Sequence, residues 1–527
     1  MENWWKKAVI YQIYPRSFKD TNADGIGDLQ GVIEKLDYLQ KLGIDAIWLS
    51  PVYQSPMIDN GYDISDYLTI DPSFGTMDDF ECLVSEAKVR KIRVLMDLVV
   101  NHTSDQHKWF KEARQTLENP KRSFYIWRDQ PVFNDKNWTF DPLTQQYYFH
   151  LFSKNQPDLN WENPDVRSEI HKMMEFWLKK GISGFRLDVI DLIGKIPDEN
   201  ITVNGPKLHE YLQEMNREVF VGNDLLTVGE AWSSSPELAK LYSAPNRHEL
   251  SMVFGFWHIL TSAGEGNKWN YLPLNVPKLK QALSAWQEIA PDEGWNSLFW
   301  GNHDLPRLVS FWGELSDKYR EKSAKAFAIL LHLMRGTPFI YQGEELGMTN
   351  FPFEKFSEIN DIESLNFVED KRNMGWSDEK IMDVLRKMSR DNARTPMQWD
   401  GSEQADFTTG QAWLEVNPNH RKINVMLALE NQQSIFYTYQ KLIALRHEQA
   451  WLYTATYELL DSSDEIFAYL RKTENQTFLI VANLSNHENT FVSNFRKKAE
   501  IISTESFPSA LTEIKMKAWD AFALEVE

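Results

Sequence analysis

Short apolar, β-prone runs alternate along most of the chain with longer stretches whose apolar positions recur every three to four residues. The runs are AVIYQIY (8–14), AIWLSP (46–51), RVLMDLVV (93–100), GFRLDV (184–189), LLTVGEA (225–231), LSMVFGF (250–256), WNSLFWGN (295–302) and PFIYQG (338–343). Between them lie helical patterns such as GDLQGVIEKLDYLQKLG (27–43), RSEIHKMMEFWLKKG (167–181) and YREKSAKAFAILLHLMR (319–335). The first two close on a glycine just past the last apolar position, a common helix stop. Strands separated by helices are the signature of a parallel sheet, and eight such units predict an α/β fold, a closed (β/α)8 TIM barrel.

Two breaks in the spacing mark domain edges. Residues 103–161 are too long for one crossover helix and are crowded with Asn, Asp, Pro, Trp and Tyr, which predicts a lobe inserted after strand three on the C-terminal rim. From Trp451 the pattern becomes short alternating runs (IFAYLRK, TFLIVANLS, AFALEVE) parted by polar turns, which predicts a C-terminal antiparallel β domain over 451–527. The barrel then comprises 1–102 and 162–450. Within it, 344–431 has no readable period and is assigned to the rim.

Composition narrows the function classes. A net charge of -20 over 527 residues, with no Lys/Arg stripe, argues against nucleic acid as partner and for neutral substrates. No run of about 18 apolar residues occurs and the first residues lack a signal-peptide core, so the expectation is a soluble cytoplasmic protein without a membrane partner. The single cysteine, Cys82, excludes an intrachain disulfide and lies in a helical pattern where a buried apolar role is expected.

Four of the runs end in chemistry: DLVVNH (97–102), GFRLDV (184–189), VGEAW (228–232) and WGNHD (300–304). Strand tips are where a barrel assembles its site. Arg186 and Asp188 are two residues apart and share a face of the strand, so the cation can hold the carboxylate ionised as a nucleophile. Glu230, with Val228 on the same face, has an apolar neighbour that favours a general acid. Asp304 and His303 end the seventh run. Two carboxylates facing one bond satisfy retaining glycoside hydrolysis. The same groups (Asp97, His102, Asp188, Glu230, His303, Asp304) could instead ligate a metal, although Arg186 would compete with the ion.

In order and spacing these motifs resemble the strand-three, -four, -five and -seven motifs of the α-amylase family of glycoside hydrolases. Within that family the chain is most similar to the oligo-1,6-glucosidase group and its glucan 1,6-α-glucosidases (dextran glucosidases), through WWKKAVIYQIYPRSF (4–18), QPDLNW (156–161), NGPKLHEYLQEMN (204–216) and RDNARTPMQW (390–399). The resemblance implies Asp188 as nucleophile, Glu230 as acid/base and Asp304 as transition-state stabiliser, with His102, Arg186 and His303 on the bound glucose. It implies that Asp59 pairs with Arg394 around the far hydroxyl of the terminal glucose while Tyr62 stacks beneath the ring, which would make the enzyme exo-acting. Val189, Trp232 and Lys268 match positions around the departing sugar in α-1,6-acting relatives.

Further implications follow from the same resemblance. In the run Asp20-Thr-Asn22-Ala-Asp24-Gly-Ile26-Gly-Asp28, oxygen-bearing side chains recur at alternate positions, as a calcium loop requires, but the glutamate of a full EF-hand is missing. The resemblance implies a structural Ca2+ held by Asp20, Asn22, Asp24, the Ile26 carbonyl and Asp28, with no catalytic part. A loop that approaches the glucose in relatives reads Phe133-Asn-Asp-Lys-Asn-Trp138 here, keeping the aromatics and losing the glycines. The expected substrate is an α-1,6-linked gluco-oligosaccharide and the expected state a monomer. Trehalose-6-phosphate hydrolases and sucrose isomerases share the motifs and stay open as alternatives.

Overall fold

The computed structural model describes residues 3–290 and 292–527. Eight strands form the barrel: β1 (Ile10–Ile13), β2 (Ala46–Leu49), β3 (Arg93–Leu98), β4 (Gly184–Leu187), β5 (Leu226–Glu230), β6 (Met252–Phe254), β7 (Ser297–Leu298) and β8 (Thr337–Tyr341). Their order is β6-β5-β4-β3-β2-β1-β8-β7, every pair is parallel, and the parallel bridge Val253↔Asn296 closes β6 onto β7. Each run predicted from sequence overlaps one of these strands, β8 starting one residue ahead of its run at Thr337. They are shorter than the apolar runs, β7 most of all, because the tips bend away to carry the rim loops.

Register places the chemistry. Arg186 pairs with Val228 across β4 and β5, and with Asp97 across β3 and β4, so all three strands present their tips at one level. Gly184 allows this close approach: its φ is +149° and an added Cβ would lie 1.9 Å from the Leu226 carbonyl oxygen. At the opposite, N-terminal end of the barrel, a cavity of about 230 Å³ lined by Trp5, Thr227, Leu250 and Trp295 lies on the face that serves stability in such folds.

The helix read over 27–43 is two helices, Leu29–Glu34 and Leu36–Leu42, broken at Lys35. Asp28 caps the first through Gly31, and Gly43 ends the second in the left-handed region. Cys82 corrects its sequence reading: it is exposed, on the outer face of the helix Met77–Val89 whose buried positions are Phe80, Leu83 and Ala87. Among the described residues no helix is long and apolar enough to cross a membrane.

Residues 103–161 carry a three-stranded antiparallel sheet (Trp127–Arg128, Gln146–Phe149, Trp138–Asp141). The lobe is pinned to the barrel by a fully buried ion pair, Lys195 Nζ to Asp158 Oδ2 at 3.1 Å, with Asn101 Nδ2 donating to the same oxygen. Residues 344–431 are ordered as helices Ile362–Asn373, Asp378–Met388 and Asp391–Arg394, the first two around an apolar cluster of Phe351, Phe353, Phe367, Ile381 and Leu385.

After the helix Ile435–Glu448 the chain forms a five-stranded antiparallel sheet with its own core, including Ile466, Leu479, Val481, Phe522 and Leu524. Arg446 on that helix is buried under the barrel floor and donates to the carbonyls of Lys6, Ala8 and Gly336. It thereby ties the last barrel helix to both β1 and β8.

Candidate active site

Arg186 is the centre of the site. Its Nη1 lies 2.7 Å from Asp97 Oδ1 and 2.8 Å from Asp188 Oδ1, and its Nη2 donates to Glu230 Oε2. One planar fork therefore fixes the tips of β3, β4 and β5, and it brings Asp188 and Glu230 to two adjacent nitrogens of a single guanidinium. A shared guanidinium holds the two carboxylates near one another, and a retaining mechanism needs such a close pair. It also places a cation where a metal reading would need an ion. Among the described residues no group of three His, Cys, Asp or Glu side chains is arranged to hold a metal.

Three carboxylates around one guanidinium favour a proton retained within the cluster. Burial pushes Asp188 well above the usual carboxylate range; Glu230, Asp97 and Asp304 push the same way and Arg186 opposes them. Asp97 is pushed up to about 6, chiefly by burial. Glu230 does not sit in the apolar setting that Val228 suggested. Besides Arg186, its Oε2 accepts from the Val189 backbone N–H at 3.1 Å and its Oε1 from the Trp232 indole at 2.9 Å. Val189 meets this need in a left-handed conformation (φ 35°, ψ 46°), uncommon for a β-branched residue and thus strained.

Asp304 lies beyond β7, in the turn after Trp300–Gly301–Asn302. Burial opposes its charge, but the three guanidinium groups of Arg390, Arg394 and Arg186 hold it well below the usual carboxylate range. Arg394 Nη2 contacts Asp304 Oδ1 at 2.7 Å and Arg390 Nη1 the same oxygen at 3.4 Å. His303 is neutral, its pKa pushed down to about 3 by burial. Its Nδ1 pairs with Gln12 at 2.8 Å and its Nε2 with the Tyr62 hydroxyl at 2.6 Å. The Tyr62 ring stacks on the His303 ring (5.2 Å, 7°), and its hydroxyl donates to Asp97 at 3.0 Å. His102 faces the Tyr62 carbonyl at 2.9 Å and the Gln156 amide at 3.2 Å.

The expected Asp59–Arg394 pair is corrected. Asp59 Oδ1 pairs with Arg390 Nη2 at 3.0 Å and its Oδ2 accepts from Gln156 at 3.2 Å, while Arg394 is committed to Asp304. The two arginines are four apart on one short helix, so both face the site, and the motif RDNAR held that signal. Gln156 was visible only as part of QPDLNW, with no role attached.

On the departing-sugar side Trp232 stacks on Phe256 (3.7 Å, 10°), and Lys268 pairs with Glu363 of the 344–431 segment. Phe133 is 61% exposed at φ 59°, and among the described residues none of the contacts that tie the site together includes it. The loop 20–28 folds through successive side-chain turns: Asp20 Oδ1 accepts from Asn22 N, Asn22 Oδ1 from Asp24 N, and Asp24 Oδ1 from Ile26 N. Asp28 caps the following helix, and Asp20 also accepts from Gly25 and Thr408. The side chains are hard oxygens on one tight loop, the donor type calcium takes, but Asp20 and Asp28 already hold protein N–H groups and the three carboxylates are not gathered as a metal group.

A barrel whose strand tips gather two carboxylates on one guanidinium and a third held by arginines has the make-up of a glycoside hydrolase. The chain belongs to the α-amylase family: the family's catalytic-domain model matches residues 12–455. It is 57% identical over 533 residues to a glucan 1,6-α-glucosidase of Streptococcus pneumoniae, covering 100% of this chain and 99% of that one. It is 51% identical to an oligo-1,6-glucosidase of Halalkalibacterium halodurans, covering 95% and 93%. A crystal structure of a trehalose-6-phosphate hydrolase mutant from Bacillus licheniformis superposes with a TM-score of 0.95 at 44% identity over 100% of both chains.

Proposed function

We propose that this enzyme removes glucose from the non-reducing end of α-1,6-linked gluco-oligosaccharides with retention of configuration. The observation that carries the reading is the Arg186 fork, which sets Asp188 and Glu230 on one cation, while Arg390 joins Asp59 to Asp304 beside it. In the reacting form the proton that the carboxylate cluster retains lies on Glu230 and Asp188 is ionised. Asp188 attacks the anomeric carbon, forming a carboxyl–glucosyl bond as the glycosidic C–O bond breaks, and Glu230 gives that proton to the departing oxygen. Water, deprotonated by Glu230, then displaces Asp188 and regenerates both groups. Positive charge on the ring in each transition state faces Asp304. The Asp59–Arg390 pair blocks passage of a longer chain, so attack is from the end.

The α-1,6 preference is supported by the names of the relatives above and by Val189, Trp232 and Lys268 around the departing sugar. Calcium held by Asp20, Asn22, Asp24, the Ile26 carbonyl and Asp28 would brace the loop that ends in the Asp28 cap, away from the reaction. A monomer working in the cytoplasm fits the acidic balance and the lone unpaired cysteine.

The experiment is chromatography of digests of an isomalto-oligosaccharide ladder beside maltose, trehalose 6-phosphate and sucrose, with NMR of the first product. α-Glucose released stepwise from the ladder is the expected result. Faster turnover of trehalose 6-phosphate, isomerised sucrose, or β-glucose as first product would overturn the reading.

A further inference from the structure

Arg390 reaches Asp59 and Asp304 on the glucose side, and its Nε lies 3.4 Å from Glu363 Oε2, the oxygen that also pairs with Lys268 on the departing-sugar side. A single cation thus belongs to both halves of the cleft. What holds it is Asp361, fully buried, whose Oδ1 takes Arg390 Nε at 2.7 Å and Nη2 at 2.5 Å. Asp361 is also the N-cap of the helix Ile362–Asn373, accepting from the backbone N–H groups of Glu363 and Ser364 and from the Ser364 hydroxyl. Glu363 stands in the first turn of that helix, so the cap fixes where its carboxylate begins. Asp391, next to Arg390, fixes the other end by accepting from the N–H groups of Asn360 and Asp361 at 2.7 and 2.9 Å.

We propose that Asp361 is a positioning residue that couples the glucose clamp (Asp59, Arg390) to the departing-sugar pair (Lys268, Glu363), so that the two subsites recognise one disaccharide as a unit. This rests on the reading of the enzyme as an exo-glucosidase. Asp361 has no exposed surface and acts through Arg390 and Glu363, with Arg394 Nη1 farther off at 3.8 Å. Because one carboxylate anchors both, a shift of Arg390 on loss of its counter-charge moves Asp59's partner and Glu363's partner together. A substrate with glucose but no second sugar feels only one half of the disturbance.

The test is a double-mutant cycle read in kcat/KM. Asp361→Asn keeps the cap, since Asn caps as well as Asp, but removes the charge on Arg390. We expect it to raise KM for isomaltose about tenfold with a smaller change in kcat, and to affect 4-nitrophenyl α-glucoside less. With Asp361 present, the joint effect of Asp59→Asn and Lys268→Met on isomaltose should depart from the product of the single effects by about threefold or more; in the Asp361→Asn background the effects should simply multiply. Ser364→Ala, which weakens the cap without touching Arg390, should keep the unaltered KM.

Multiplying effects in both backgrounds, an unchanged KM in Asp361→Asn, or the same KM rise in Ser364→Ala would overturn the proposal. If Asp361→Asn does not fold, Asp361→Ser, which retains a capping oxygen, takes its place. Failure of the α-1,6 reading is separable: the unaltered enzyme would prefer another disaccharide, and the same cycle is then read on that one.

Discussion

The indole N–H of Trp232 donates to Oε1 of Glu230 at 2.9 Å while its ring lies flat on Phe256. In the proposed mechanism the side chain does two separable things: it aims the proton donor and forms a wall for the departing sugar. Trp232→Phe keeps an aromatic wall and removes the N–H. Loss of one hydrogen bond to a carboxyl group, about 1.5 kcal/mol, should lower kcat roughly tenfold with little change in KM. Trp232→Ala should raise KM as well, and steady-state kinetics on isomaltose distinguish the two.

Roles of the two central carboxylates separate by leaving group. Asp188→Asn should lose about 10³-fold or more on every substrate while keeping its melting temperature. Glu230→Gln should lose as much on isomaltose but far less on α-glucosyl fluoride, because fluoride departs without a proton. A Glu230→Gln enzyme equally slow on both would remove the proton-donor assignment.

The buried Lys195–Asp158 pair pins the inserted lobe. Lys195→Met leaves an uncompensated buried carboxylate, and breaking such a pair costs about 3–5 kcal/mol. Urea unfolding should show that loss, and adding Asp158→Leu should recover much of it.

Glu344 gives a signed pH effect. Burial pushes its pKa from an ordinary 4.5 up to about 8, with the Tyr439 hydroxyl donating to it at 2.6 Å and opposing that shift. Between those values the folded chain holds a proton that the unfolded chain has lost, so stability falls as pH rises through the window. Glu344→Gln, which keeps an acceptor for Tyr439, should narrow the gap in melting temperature between pH 5 and pH 9, conditions set on either side of the roughly 4.5–8 window.

If calcium sits in the 20–28 loop, EDTA should lower the melting temperature and leave the rate on isomaltose at 25 °C, the usual assay temperature, about unchanged. Asp24→Ala should abolish that sensitivity. Equal melting curves with EDTA and with added calcium would remove the ion from the protein.

The barrel was legible because its strands are continuous apolar runs and its chemistry lies at their tips, where Asp188, Glu230 and Asp304 each interrupt an apolar stretch. Arg186 was legible from its two-residue offset to Asp188. The wall around the pocket was not. Arg390, Asp361 and Glu363 come from a segment with no strand period, and their partners lie as far as 331 residues away, in the case of Arg390 and Asp59. No local pattern reports such a pair, which is why Arg394 was taken for Arg390: the two share a helix face, and only the three-dimensional partner tells them apart. Cys82 failed for a simpler reason, since a small residue at the margin of an amphipathic stripe is decided by the rotation of the helix.

Arg446 has a consequence for synthesis on the ribosome. Its guanidinium joins the carbonyls of Lys6 and Ala8, just before β1, to that of Gly336, just before β8. While the nascent chain still lacks this arginine, two acceptors below β1 and a third below β8 have no cation to join them, although β1 and β8 are neighbours in the sheet. Arg446 follows Gly336 by 110 residues, so a ribosome-bound chain truncated ahead of the helix Ile435–Glu448 has all eight strands yet lacks the cation that locks the β1–β8 seam from below.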